Sequence, residues 1–202
     1  MERLTRTEQQ RRTHERLLEA GRTVLLRRGF LAATVEEIAA EAGYTRGAVY
    51  KHFGGKEGLW LSAIEARSQA HLRLLEEALG RAASREDLVA ALTPNGPVDD
   101  EDAARWSRTA AEFMAAVAGQ PETAAAAVAA QRGHEQEIVA VLERTCSRLG
   151  IEPALPLSRV VVVLAALGGS LTLRRGVDPE IDVPGIVAEV LAVVFPDPGG
   201  AG

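Results

Sequence analysis

Residues 34–57, "TVEEIAAEAGYTRGAVYKHFGGKE", decide the fold. Thr34 followed three residues later by Glu37 is a capping-box pattern, and Val35, Ile38, Ala39 and Ala42 then recur at helical spacing until Gly43. Thr45 stands where the N-cap of a second short helix is wanted. The inward positions of that helix are Val49 and Phe53, and Gly54-Gly55 ends it after about two turns. Two short helices joined by a glycine-bearing turn form a helix-turn-helix, whose second helix projects outward and is narrow enough for the major groove of DNA. Its outward positions carry suitable chemistry. Arg46 and Lys51 can donate to guanine edges or phosphates, Tyr50 and Thr45 to phosphate, and Gly47 and Ala48 allow close backbone approach. A surface hairpin with merely solvated basic residues fits the same spacing.

Outward from this stretch, the 202-residue chain is 47% hydrophobic and 25% charged, enough for one large domain or two small ones. The single cysteine, Cys146, cannot form an intramolecular disulfide, and "MERLTRTEQQRRTHER" lacks an apolar leader, so a reducing cytoplasm is expected. Between Arg159 and Arg174 the longest apolar run falls short of the roughly 18 to 20 residues that cross a bilayer, and a buried helix is expected there. The net charge of −5 is unevenly spread. Residues 1–56 hold 11 Lys and Arg against 7 Asp and Glu, leaving 12 against 21 for the remainder. Such asymmetry points to an N-terminal segment that meets phosphate.

Apolar residues recur at three and four along almost the whole chain, which reads as all-α. A first helix is expected from Thr7, with Gln10 completing a capping box, to Gly29, with Leu17, Leu18, Gly21, Val24 and Leu25 inward. After the helix-turn-helix, helices are expected from Lys56 to Gly80, Ser84 to Thr93, Asp102 to Ala118, Pro121 to Leu149, Leu157 to Arg175 and Pro184 to Phe195. Loops are expected at 94–102 and at "GIEPALP", and a loose tail from Pro196.

The stretch from Gly29 to Ile64 resembles the DNA-binding region of the tetracycline-repressor (TetR) family of regulators. It does so through Gly29-Phe30, Thr34-Val35, Ile38-Ala39, Ala42-Gly43, Gly47, Tyr50, His52-Phe53, Lys56-Glu57 and Leu59. The resemblance implies an N-terminal three-helix DNA-binding domain over 1–55 and a C-terminal helical effector-binding and dimerisation domain over 56–202. It implies phosphate contacts by Thr34, Tyr50 and Lys56, base-facing positions at Arg46, Gly47, Ala48 and Lys51, and a place for Thr45 and His52 in the DNA-binding face. Thr45 replaces the family's frequent serine and keeps the hydroxyl. For Lys56, a helix start also favours an anion; for Tyr50, packing against the first helix is the alternative. Arg3, Arg6, Arg11 and Arg12 form either a DNA-reaching arm or a solvated one.

The helices near 157–175 and 184–195 are apolar on every side and must be covered, either in one chain's core or, as in the family, by the twin pair of a second subunit. A homodimer would set two recognition helices roughly 34 to 36 Å apart on an inverted-repeat operator. Trp60, Ile64, Arg67, His71 and Leu74 share one helical stripe. Trp106, Ala110, Phe113 and Val117 form a second, and Gln131, His134 and Ile138 a third. Core packing produces such stripes; the resemblance makes Trp60, Ile64, Arg67, His71, Trp106, Phe113 and His134 candidates for lining a small-molecule pocket.

No enzyme motif survives inspection. Tyr50 stands where a phosphate loop needs its first glycine and Glu57 where it needs Ser or Thr. "HEQEI" ends on Ile138 instead of histidine, and "GGSLT" lacks a closing glycine. The four histidines and Cys146 have no close ligand spacing, so neither metal nor cofactor is expected. The expected function is a cytoplasmic, homodimeric, effector-released DNA-binding regulator, commonly a repressor in this family. The alternative is an all-helical ligand- or partner-binding module that does not read DNA sequence.

Overall fold

A computed structural model describes residues 5–94 and 100–197. Among these the regular elements are all helices: α1 (Arg6–Arg28), α2 (Val35–Ala42), α3 (Arg46–Phe53), α4 (Lys56–Arg81), α5 (Arg85–Leu92), α6 (Asp100–Val117), α7 (Pro121–Leu149), α8 (Leu157–Arg175) and α9 (Val183–Val194). The fold is all-α, with the helix-turn-helix in the N-terminal part. Arg3, most of the expected 94–102 loop and the tail beyond Asp197 lie outside the described residues.

Two compact units emerge. The first takes Met1–Arg67 with Arg108–Ala127. Its buried side chains include Leu17, Val24 and Leu25 of α1, Ile38 of α2, Val49 of α3, and Leu59 and Trp60 of α4. From α6, Phe113 meets Phe30 in a T-shaped contact with ring centres 5.1 Å apart, and Thr109 donates to the Leu25 carbonyl at 3.3 Å. The Glu112 carboxylate accepts from the Leu31 amide at 3.1 Å. The turn after α1 is thus gripped by a segment some eighty positions away.

Helix ends follow local chemistry. The α1 box is Thr5 with Glu8, not the expected Thr7 with Gln10, and α1 starts at Arg6. A carboxylate is a stronger acceptor than an amide for the N-cap donors. The Thr5 N–H and hydroxyl both lie 2.7 Å from Glu8 Oε2. At α2 the expected Thr34–Glu37 box is present, and the helix closes with a Schellman motif: Gly43 N–H donates to Ala40 O and Tyr44 N–H to Ala39 O. Gly43 sits at φ 72°, where a Cβ would be strained. Thr45 is the N-cap of α3 by backbone position, but its hydroxyl makes no capping bond, contrary to the expected use of that side chain.

The second unit takes Ser68–Ser107 with Val128–Gly202. Leu79, Leu88, Leu142, Leu191 and Phe195 are fully buried in its core. Arg148 satisfies helix-end carbonyls, donating at 2.7 Å to both Leu79 and Ala82. Arg85 donates to Phe195 O beside the end of α9. α6 starts two residues before the expected Asp102, and α9 runs one residue earlier at both ends.

For α8 the expectation on length needs correction, and of the two expected ways of covering it, burial in one chain's core is set aside. By length and composition alone this 19-residue helix is apolar enough to cross a membrane, because its arginines crowd the ends and leave a window of mean hydropathy 1.5. Nor is it buried within the chain: only 11% of that window is covered, and Val162 and Val163 are 50% and 43% exposed. Val160 and Val161 supply its inward side.

Candidate DNA-reading face and ligand cleft

α3 divides by face. Val49 is fully buried and Phe53 half-buried, which turns Arg46, Gly47, Tyr50 and Lys51 outward and leaves Ala48 at the margin. The Schellman turn sets the angle between α2 and α3, and the Tyr44 hydroxyl meets that of Thr13 on α1 at 3.4 Å. Tyr50 is 46% exposed, whereas Val49 beside it is fully buried. Arg46 Nη1 lies 2.9 Å from Glu36 Oε1 on α2, and its guanidinium carbon is 5.5 Å from the Tyr50 ring centre.

Other site residues are engaged inside the unit. The Thr34 hydroxyl accepts from Glu37 N–H and donates to Glu37 Oε2, both at 3.2 Å. Through the Thr34 backbone bond first, and then nearby Arg28, the Glu37 carboxyl is held below its usual range. Lys56 aims its ammonium back into the fold, donating to Phe30 O at 2.7 Å and Ala33 O at 2.9 Å over the Phe30 ring. His52 is half-buried, 5.8 Å from the His14 ring. Burial first, then the His14 and Lys51 charges, push its pKa below 6.5. A neutral imidazole near pH 7 adds hydrogen-bonding capacity but little positive charge.

Of the seven candidates for pocket lining, His71 and His134 meet, with ring centres 5.8 Å apart, in a cleft of about 340 Å³ in the second unit. Gln131 and Glu135 add polar groups. Leu75, Leu92, Ile138, Leu142, Val161 and Leu164 are among its apolar walls. Nδ1 of His134 is shielded from solvent, has no hydrogen-bond partner among the described residues and stands 3.8 Å from the Glu137 carboxylate. The other five candidates do not line this cleft. Trp60 and Phe113 are buried in the first unit, to which Ile64 and Arg67 also belong, and Trp106 is half-buried in the second. Periodicity marks an inward face without saying whether that face closes on side chains or on a cavity.

Sequence reasoning missed Glu36, Glu112 and Thr109. A Glu at the second position of a helix reads as favourable charge near the helix dipole, and nothing local announces a partner on another element. Among the described residues no cluster of three metal-ligating side chains occurs.

Comparison with known proteins agrees with this geometry. Residues 17–63 match the family model described as bacterial regulatory proteins, tetR family. An uncharacterized HTH-type transcriptional regulator, YerO, of Bacillus subtilis (strain 168) is 38% identical over 77 residues, covering 37% of this chain and 27% of that protein. The HTH-type transcriptional regulator SrpR of Pseudomonas putida is 44% identical over 62 residues, covering 31% of this chain and 29% of that one. The matched stretch is therefore under a third of either relative's length. Over a much longer span, 93% of both chains, the fold superposes on the solved SmeT–triclosan complex with a TM-score of 0.61 at 24% identity. Family model and relatives converge on the N-terminal segment: residues 17–63 of this chain are a tetR-family helix-turn-helix segment.

Proposed function

We propose that the protein is a ligand-responsive transcriptional regulator that binds an inverted-repeat operator as a homodimer, acts as a repressor, and is released by a small-molecule effector. The observation that carries this reading is the two-faced α3: buried Val49 anchors it while Arg46, Tyr50 and Lys51 stand outward. Arg46 and Lys51 would meet base edges, with Gly47 and Ala48 permitting close approach. Tyr50, Thr45, Thr34 and His52 would contact backbone phosphates. Lys56 would act through the turn it holds as well as through its charge. The functional boundary is proposed after Gly55, with α4 beginning at Lys56. The family's regulators support a cytoplasmic place of action.

Dimerisation is assigned to α8 and α9. Leu155, Val160, Val163, Leu164, Val190 and Val193 are among the residues lining a purely apolar groove there, and Val193 is 74% exposed. An apolar patch of this kind on a soluble protein marks a protein contact, and an isologous pairing covers it on both copies.

The His71–His134 cleft is the proposed effector site. Its size suits a compact molecule. Among the lining residues the only carboxylate is Glu135 and there is no Lys or Arg, which favours an uncharged, mostly apolar ligand with one group for His134. The similar fold of SmeT was solved with triclosan, which supports a small-molecule site in this architecture. Release follows if the ligand prefers a conformer whose recognition helices are wrongly spaced. α4 links the parts as one unbroken helix from Lys56 past His71.

The test is selection of bound sequences from a randomised duplex pool at two salt concentrations. Recovery of an inverted repeat supports the reading. Binding that recovers no motif and vanishes with salt replaces it with a partner-binding module.

A further inference from the structure

From the geometry of the α2–α3 frame we infer that Glu36, outside every DNA-facing position named above, is a specificity-determining residue: its carboxylate positions the Arg46 guanidinium for base reading. This rests on the proposed operator-binding function and deepens it. Arg46 is the first residue of α3, exposed, with a long side chain that would otherwise sample many rotamers. Glu36 Oε1 holds Nη1 at 2.9 Å from one side, and the Tyr50 ring lies 5.5 Å from the guanidinium carbon. The fork is fixed at two points while the Nε and Nη2 edge remains for a bidentate contact such as guanine O6 and N7.

The neighbouring acid does different work. Glu37 is taken up by the Thr34 cap and by Arg28 at 3.4 Å, so the two acids of the α2 first turn are divided between holding the helix and holding the reader. The Glu36–Arg46 pair is solvent-exposed, with side chains 60% and 62% accessible, so it contributes little to folding. Its value lies in preorganisation: a guanidinium already oriented loses less freedom on binding a base. The carboxylate also carries a cost, because a negative charge near the phosphates weakens binding to any DNA.

These two effects have opposite signs in one substitution. Glu36→Gln is expected to raise affinity for random duplex about threefold at low salt through lost repulsion. It is expected to lower the ratio of operator to random affinity about tenfold through lost orientation, with base preference relaxed at the position Arg46 reads. In an Arg46→Ala background the same substitution should leave the ratio unchanged. The measurement is operator and random-duplex titration of the full-length wild type and the three variants, with selection repeated on Glu36→Gln. Far-UV circular dichroism and the thermal midpoint serve as controls for folding and should not move. Equal gains on both duplexes would reduce Glu36 to simple repulsion and overturn the inference, as would a larger gain on the operator, the mark of an inhibitory latch. A wild type that recovers no motif would instead remove the operator-binding function itself.

Discussion

The Lys56 ammonium donates at 2.7 Å to the Phe30 carbonyl and lies 4.5 Å from the centre of the same residue's ring. With Ala33 O as second acceptor, it ties the start of α4 to the turn between α1 and α2. Lys56→Ala removes a charged donor from two carbonyls and is expected to cost about 2 kcal/mol of unfolding free energy. Urea denaturation measures this. Because the frame of α3 loosens as a phosphate-side charge disappears, operator and random duplex should both bind more weakly, with a flatter salt slope.

Gly58 is required by close approach. A Cβ there would lie 1.9 Å from the Phe53 carbonyl oxygen at the end of α3, a backbone atom that cannot swing aside. Gly58→Ala should therefore cost about 3 kcal/mol and displace α3. A thermal midpoint within a degree of wild type would contradict this geometry.

His52 makes the first unit acid-sensitive. Its folded pKa lies below 6.5, so as pH falls through 6.5 the unfolded chain takes up the proton first. Stability is full above that pH and declines toward the lower folded value. His52→Gln should flatten this decline and leave the denaturation midpoint well above pH 6.5 little changed. The readout is a series of midpoints across the window.

Val193→Glu places a charge on the proposed subunit contact at a side chain 74% exposed in the single chain. Sedimentation should show a monomer of unchanged helical content that has lost operator affinity. A persistent dimer would move the contact elsewhere.

His134→Leu replaces a shielded Nδ1 that has no hydrogen-bond partner among the described residues with a methyl-bearing chain. Removing an unsatisfied polar atom should stabilise the protein by about 1 kcal/mol. Any compound shown to release wild-type protein from operator should lose its effect on the variant. Release at wild-type concentrations would exclude the cleft as the effector site.

Much of the first unit was legible because its determinants are local. The Thr34–Glu37 box, the Gly43 stop and the Val49–Phe53 anchor are sequence neighbours whose geometry is fixed by helix periodicity. The charge of Lys56 was legible too, but its direction was not, since a helix start beside two carbonyls and one beside a phosphate read alike. Pocket residues were the least legible: Trp60 and His71 share a stripe, yet one is buried in the first unit's core and the other lines a cleft in the second. The helices that carry exposed Val162 and Val193 are expected to be covered, and the cover proposed for them is a second chain, which no single sequence displays.

The grip of Thr109, Glu112 and Phe113 on Leu25, Leu31 and Phe30 bears on how such a protein can be cut and recombined. A fragment ending at Arg67 would carry all three N-terminal helices yet leave the Phe30 ring without its T-shaped contact and the Leu31 amide without its acceptor. A chimaera that transplants this reading head onto another sensor therefore has to bring residues 108–127 along, or supply a threonine, a glutamate and a phenylalanine at equivalent points of the host. The portable piece is discontinuous in sequence, and a junction drawn at the end of the helix-turn-helix would sever it.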